Sequence, residues 1–177
     1  MSGGSDRVLK FPYRGAPQTV GVIKKAALDS QRDLSVRNLA ESICSGLPSK
    51  CYVGEYLALY NAVQHMTRYM RDPRTVELVR APYVIARQMA AGQVPNLDCD
   101  DLTALLSALV LSVGGQVRIV TVAFRNMVHN GQRQYSHVFA EARDPKSGRW
   151  IVLDPVASHK TSEMLGRVVA AKIWPVA

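Results

Sequence analysis

No apolar run in the 177-residue chain reaches the roughly 18 residues that a membrane-spanning helix requires. The opening stretch, MSGGSDRVLKFPYRG, has no apolar core followed by small residues, so it does not read as a secretory signal. Cysteine is scarce: Cys44, Cys51 and Cys99 are too few, and odd in number, to frame a chain of this length with disulfides. The Cys44 to Cys51 spacing fits no common zinc pair, and no second pair exists to complete a site. These absences exclude a disulfide scaffold, a zinc module and a helical membrane protein. They leave free thiols in a reducing, cytoplasmic compartment, with Cys44 and Cys51 expected as small buried hydrophobes. No metal and no cofactor is expected. Internal repeats, low-complexity tracts and inner linkers are missing too.

What is present fits a soluble globular domain, 47% hydrophobic and 20% charged. A single domain of this length buries about 70% of its unfolded surface. The net charge is +8, and part of the excess lies early. Arg7, Lys10, Arg14, Lys24, Lys25, Arg32 and Arg37 face only Asp6, Asp29 and Asp33 in the first 40 residues. Such a balance suits either an acidic partner or a solvated basic face, and the second is the simpler reading. No nucleic-acid-binding motif accompanies the charge, so nucleic acid is not the expected partner. Residues 1–20 read as a flexible or partner-docked arm, and residues 21–177 as one domain.

The first half of the chain reads as helical. Leu34, Leu39 and Ile43 recur at helical spacing and stop at Gly46 and Pro48. A longer amphipathic helix is expected from Cys51 to Met70, broken by Asp72-Pro73 because the residue before proline avoids the helical region. A shorter helix follows, with Pro82 in its first turn and Gly92 past its end. The second half changes period. Gln116 to Phe124, Tyr135 to Ala142 and Trp150 to Asp154 read as an antiparallel meander, with turns at Asn130-Gly131 and Asp144 to Gly148. Arg167 to Trp174 reads as a fourth strand. Helices first and strands later imply an α+β layer fold.

Between the halves stands PNLDCDDLTALLSALVLSVGG, Pro95 to Gly115. Asp98 is a good helix N-cap, and Asp101 three residues later resembles the second half of a capping box. Leu102, Leu105, Leu106, Leu109 and Val113 trace the buried stripe. Cys99 therefore falls in the first helical turn, where free N–H groups and the macrodipole favour a thiolate. The aspartates are expected along the helix rim. A nucleophile also needs a base and a group that orients it. Of the histidines, His65 and His129 read as surface residues and His159 has no evident role. His137 shares one face of its strand with Tyr135, Phe139 and Glu141, and Asp154 shares one face of the next with Trp150 and Val152. If those faces coincide, Asp154 holds the imidazole and its other nitrogen meets Cys99.

NLDCDDLTALLSALVLSVGGQVRIVTV, then YSHVFAEA, then WIVLDP resembles the core of the transglutaminase-like superfamily of papain-like thiol enzymes. YLALYNAVQHMTRYMRDP, Tyr56 to Pro73, resembles the helix before that core in small members, so the resemblance covers roughly Tyr56 to Pro155. Many members have glycine where this chain has Leu97. The resemblance implies a papain-like, transglutaminase-like α+β fold, with N-terminal helices and a Cys-bearing helix packed on an antiparallel sheet of three to four strands. It implies Cys99 as nucleophile, His137 as general base and acid, and Asp154 as orienting carboxylate. The Cys99 N–H is the implied oxyanion donor, with Asn96 or Gln93 as a second. The implied chemistry is acyl transfer from a protein, peptide or cell-wall amide, to water in a peptidase or amidase, or to lysine in a crosslinking transglutaminase. The competing reading is an inert scaffold or adaptor of a bacterial or phage assembly, virion-associated if phage-encoded, with the basic arm as its docking element.

Overall fold

The computed structural model describes residues 8–11, 15–71, 77–129, 131–157 and 166–176. Its first half runs β1 (Val8–Phe11), α1 (Ala16–Ser30), α2 (Leu34–Cys44), α3 (Tyr52–Met66), β2 (Arg68–Tyr69), β3 (Glu77–Arg80), α4 (Pro82–Ala90), β4 (Asn96–Leu97) and α5 (Cys99–Ser112). The second half is built of β5 (Gln116–Ala123), β6 (Val128–His129), β7 (Gln132–Arg133), β8 (His137–Arg143), β9 (Trp150–Leu153) and β10 (Ala170–Pro175). The class is α+β, as expected.

The main sheet has the order β10-β5-β8-β9, and every neighbour in it is antiparallel. The meander β5, β8, β9 is the one read from the period-2 pattern, and β10 closes on the far side of β5. Strand alternation divides the sheet into two faces. Val117, Ile119, Val138, Ala140, Ala142 and Leu153 point into the main core, where α5 lies. Val120, Val122 and Phe139 form a smaller cluster on the opposite face with Phe124, Val152 and Val168.

The helix α5 is central. Every residue from Asp100 to Val110 is buried, and α1, α2, α3, α4 and the sheet all pack on it. Leu102, Leu105, Leu106 and Leu109 each contribute about 1.5–3 kcal/mol through removal from water. Its end is tight: a Cβ on Gly115 would lie 2.6 Å from Val110 Cγ1 and 2.8 Å from the buried Tyr56 hydroxyl. That close approach explains the glycine between helix and strand.

Several elements differ from the sequence reading. Residues 16–30 form α1, which buries Ala16, Thr19, Val20, Ile23, Ala26, Ala27 and Ser30. That face is small and partly polar, so no strong apolar stripe announces it. The boundary expected at residue 20 falls inside this helix, and Val8–Phe11 pairs with β3. In α2, Leu34 is 71% exposed, and the buried residues are Val36, Leu39 and Ala40. The helix expected to reach Met70 ends at Met66. Thr67 turns to extended backbone and donates from its hydroxyl to the Val63 carbonyl at 2.7 Å. The chain then pairs Arg68 with Asn96 and Tyr69 with Leu97 as parallel strands. Pro82 and Gly92 mark the ends of α4 as expected, with Gly92 at φ 73°. Cys44 and Cys51 are partly exposed rather than buried. Of the early cations, Lys25 pairs with Asp29 and Arg37 with Glu41 on exposed helix faces, as suits a solvated surface.

Candidate active site

The cysteine turn is built by Asp98. Its backbone is extended, and its carboxylate accepts the N–H groups of Asp100 and Asp101, each at 3.0 Å. Asp101 reaches outward from the helix: Oδ1 accepts the Arg80 backbone N–H at 2.7 Å, and Oδ2 lies 3.5 Å from Arg80 Nε. The Arg80 guanidinium also donates to the Asn96 carbonyl at 2.5 Å. The turn is clamped from a second side by β2, since the Arg68 and Met70 N–H groups donate to Pro95 and Leu97 carbonyls. Asp98, Asp100 and Asp101 are all buried, so the rim position expected for them is incorrect.

Cys99 is partly exposed and packs at the edge of the main core. Pairing of β8 with β9 stops at Ala140 opposite Leu153. Two residues earlier, Val138 turns its peptide to α5 instead. Its N–H donates to the Cys99 sulfur, and its carbonyl accepts the Thr103 hydroxyl at 3.2 Å. The same hydroxyl donates to the Cys99 carbonyl at 2.6 Å. Thr103 thus ties the first turn of the helix to the strand that begins with the histidine.

The expectation of a low thiol pKa is overturned. Burial, then the Asp100 and Asp98 carboxylates, push the Cys99 thiol well above its ordinary value, and the Val138 N–H only opposes this. The thiol donates toward Asp100 Oδ1 at 3.6 Å. Asp98 takes N–H groups that would otherwise face a thiolate, so the positive end of the helix is largely spent on its own cap.

His137 opens β8, two residues after the start expected for that strand, and is buried. Its Nε2 lies 2.7 Å from Asp154 Oδ2. Both side chains occupy the face that carries Phe139 and Val152, as the alternation predicted. The imidazole is flanked by Phe124, 6.4 Å away and nearly parallel, and by Phe139 at 5.9 Å. Asp154 follows the last residue of β9 and is 2% exposed. Its Oδ1 accepts the Val156 N–H at 3.1 Å, and its carbonyl accepts the Tyr60 hydroxyl at 3.4 Å. The pair of His137 and Asp154 is therefore assembled. Cys99 is tied by its own hydrogen bonds to Asp100 and to Val138, the residue after His137. Among the described residues no hydrogen bond joins its sulfur to the imidazole, so the expected meeting of the second ring nitrogen with Cys99 is not seen.

The proposed second oxyanion donors are less closely placed. Gln93 and Asn96 are exposed; the Gln93 N–H closes α4 on the Gln88 carbonyl, and the Asn96 carbonyl is held by Arg80. Among the described residues neither side-chain amide is hydrogen-bonded to Cys99. His65 bonds the Asn61 carbonyl on an exposed helix face, and His129 is exposed on β6. His159 lies outside the described residues. Tyr69 is a neighbour that helical periodicity hid. Burial raises its phenol, a hydrogen bond to Arg71 opposes this, and the Cys99 and Asp98 charges act in the raising direction. Among the described residues no group of three or more His, Cys, Asp or Glu side chains is arranged to hold a metal ion. No helix there is long and apolar enough to cross a membrane.

A family model described as the transglutaminase-like superfamily matches residues 37–155. The fold is similar to that of a putative protease from Parabacteroides distasonis ATCC 8503, with a TM-score of 0.57 and 10% identity. That match covers 80% of this chain and 27% of the other. It is also similar to a putative cysteine protease from Cytophaga hutchinsonii, with a TM-score of 0.51 and 17% identity over 95% of this chain and 58% of the other. The chain thus spans less than two thirds of either protein. No curated protein matches it.

Proposed function

The chain belongs to the transglutaminase-like superfamily, and from that we propose that it is a thiol-dependent acyl-transfer enzyme acting on amide bonds, of the cysteine peptidase or amidase kind. The observation that carries this reading is the buried 2.7 Å pair of His137 and Asp154, one residue along β8 from the peptide that binds the Cys99 sulfur.

In this reading Nε2 of His137 is engaged by Asp154, which leaves Nδ1 for the thiol. Because the resting thiol is held protonated, proton transfer to Nδ1 accompanies attack rather than preceding it. The sulfur bonds to the amide carbon, and the oxygen gains the negative charge. The Cys99 N–H, at the first position of the helix and outside the Asp98 cap, donates to that oxyanion. The imidazolium, stabilised by Asp154, gives its proton to the departing amine as the C–N bond breaks. Water, deprotonated by His137, then attacks the thioester, and the thiol is restored. A lysine amine in place of water gives an isopeptide bond through the same intermediate, the transglutaminase variant.

One observation favours the inert-scaffold reading. The Asp100 carboxylate sits 3.6 Å from the sulfur, where it disfavours a thiolate. Labelling with a peptide vinyl sulfone, followed by mapping of the modified residue, separates the two. The enzyme reading expects Cys99 to react far faster than Cys44 and Cys51, and expects His137→Ala to remove that advantage. Equal reactivity of the three thiols in the folded protein sinks the enzyme reading.

A further inference from the structure

The stretches that flank the proposed nucleophile and base share a composition. Next to the cysteine turn, β2 and its continuation read Thr67-Arg68-Tyr69-Met70-Arg71, and Arg68 and Tyr69 pair with Asn96 and Leu97 at the end of Gln93-Val94-Pro95-Asn96-Leu97. Next to the histidine, the connection from β5 to β8 reads Phe124-Arg125-Asn126-Met127-Val128-His129, then Gly131-Gln132-Arg133-Gln134-Tyr135-Ser136. Neither flank contains Asp or Glu. Arg68, Arg71, Arg125 and Arg133 are all exposed. Among the described residues none of them has a carboxylate partner, and Arg133 is held by the Asn126 side chain at 2.8 Å. Elsewhere Arg37, Arg80, Arg87 and Arg118 each meet an acid, while the exposed Arg32, Arg143 and Arg149 form no ion pair among the described residues.

Apolar groups stand between these cations. Tyr69 and Met70 are 41% and 53% exposed, and Val94, Met127 and Val128 are more so. Exposed large apolar residues gathered on functional loops mark recognition surfaces better than scattered ones. The backbone roots one flank beside Cys99 and the other beside His137. The N–H of Met70 donates to the Leu97 carbonyl, two residues before Cys99, and the N–H of Ser136 donates to Val122 beside His137. Phe124, at the root of the second flank, stacks on the His137 ring.

From this juxtaposition we propose that the site accepts an acidic peptide segment with large apolar side chains. Its carboxylates meet Arg68 and Arg71 on one flank and Arg125 and Arg133 on the other. Its apolar side chains lie on Tyr69, Met70, Met127 and Val128. The proposal rests on the acyl-transfer reading only for where the scissile amide sits, since recognition precedes chemistry. An acidic peptide fits better than nucleic acid because the strongly exposed apolar side chains among the cations are mainly Met70, Val94, Met127 and Val128, with Tyr69 the one exposed large aromatic among them.

The test uses the Cys99→Ala protein, which binds without reacting. The probe is a fluorescein-labelled peptide in which Glu alternates with Leu and Tyr, measured by anisotropy. The controls replace Glu by Lys, or replace the peptide by single-stranded DNA of equal charge. The Glu peptide is expected to bind, the Lys peptide to fail, and binding to weaken as salt rises from 0.05 to about 0.3 M because screening shortens the reach of exposed charges. Arg68→Glu and Arg125→Glu are each expected to weaken it about threefold to tenfold, as exposed ion pairs are individually modest. Equal binding of both peptides, tighter binding of DNA, or indifference to both reversals overturns the proposal. The same peptide, offered to the wild-type protein with a thiol probe as competitor, keeps the two ideas apart. Binding with no privileged Cys99 reactivity sinks the enzyme and spares the surface; privileged reactivity with no acidic preference does the reverse.

Discussion

Thr103 offers a direct measure of how firmly the two halves of the site are joined. Its hydroxyl is shared between the Cys99 and Val138 carbonyls, at 2.6 and 3.2 Å, and the residue is buried. Thr103→Val keeps the shape and the methyl group and removes the donor. The Cys99 carbonyl still lies within the helix, whereas Val138 lies beyond the end of the β8 and β9 pairing and loses a hydrogen bond in a dry place. A buried acceptor left unmatched costs about 1–3 kcal/mol. For a domain of this size each kcal/mol lowers Tm by about 2–4 °C, so a fall of about 2–12 °C is expected. Thr103→Ser makes the opposite exchange, keeping the donor and losing a methyl worth about 0.8 kcal/mol. Urea unfolding of both variants gives the comparison, with labelling of Cys99 as a second readout. If valine costs less than serine, or lies within about 0.5 kcal/mol of the parent, the threonine is not the tie described here.

Further outcomes follow from the same geometry. Asp100→Asn removes a negative charge that disfavours the Cys99 thiolate and leaves an amide at the same place, so the pH midpoint of its alkylation should fall and labelling at neutral pH should quicken; an unchanged profile would remove Asp100 from the account. Asp154→Asn keeps an acceptor for the Val156 N–H and loses the charge that steadies His137, so thermal unfolding should hardly change while peptide-amide turnover drops by as much as ~10⁴-fold, the loss known for related triads. Turnover that survives this change would discard the triad. Gly115→Ala should destabilise the fold by about 1–3 kcal/mol by overpacking against Tyr56 and Val110, read in a denaturant melt. A neutral result there would mean that α5 and β5 can separate more easily than the packing implies.

The parts of the site written in short-range signals were legible. Asp98 as cap, Cys99 in the first turn, and the shared face of His137 and Asp154 all follow from rules that span a few residues. The parity of two strands joined by a short turn leaves little freedom, so the histidine and the aspartate had to share a face once both strands formed. The thiol's protonation was not legible in this way. Burial is the largest cause of the rise and depends on how the chain packs around the start of α5, and the same aspartates that announce the helix start add to it. Pairings of β1 with β3 and of β2 with β4 were hidden because the strands are short and their partners lie far along the chain. Met70 looked helical for that reason. The helix α1 was not legible because its buried side sets only Val20 and Ile23 among alanine, threonine and serine, which leaves a weak apolar stripe.

The chain delivers Cys99 on its helical half and His137 with Asp154 on its strand half, and the β6–β7 hairpin is the last exposed stretch between them. On the proposed acyl-transfer reading, cleavage at Gly131 would yield two pieces that are chemically silent alone: one a thiol without a base, the other a base and its orienting acid without a thiol. Their reunion would be guided by seven register pairs of β5 with β8, from Gln116 opposite Arg143 to Val122 opposite His137. Regained thiol reactivity would then report strand pairing itself, making the molecule a fragment-complementation switch whose output bond forms only when the two polypeptides have found each other.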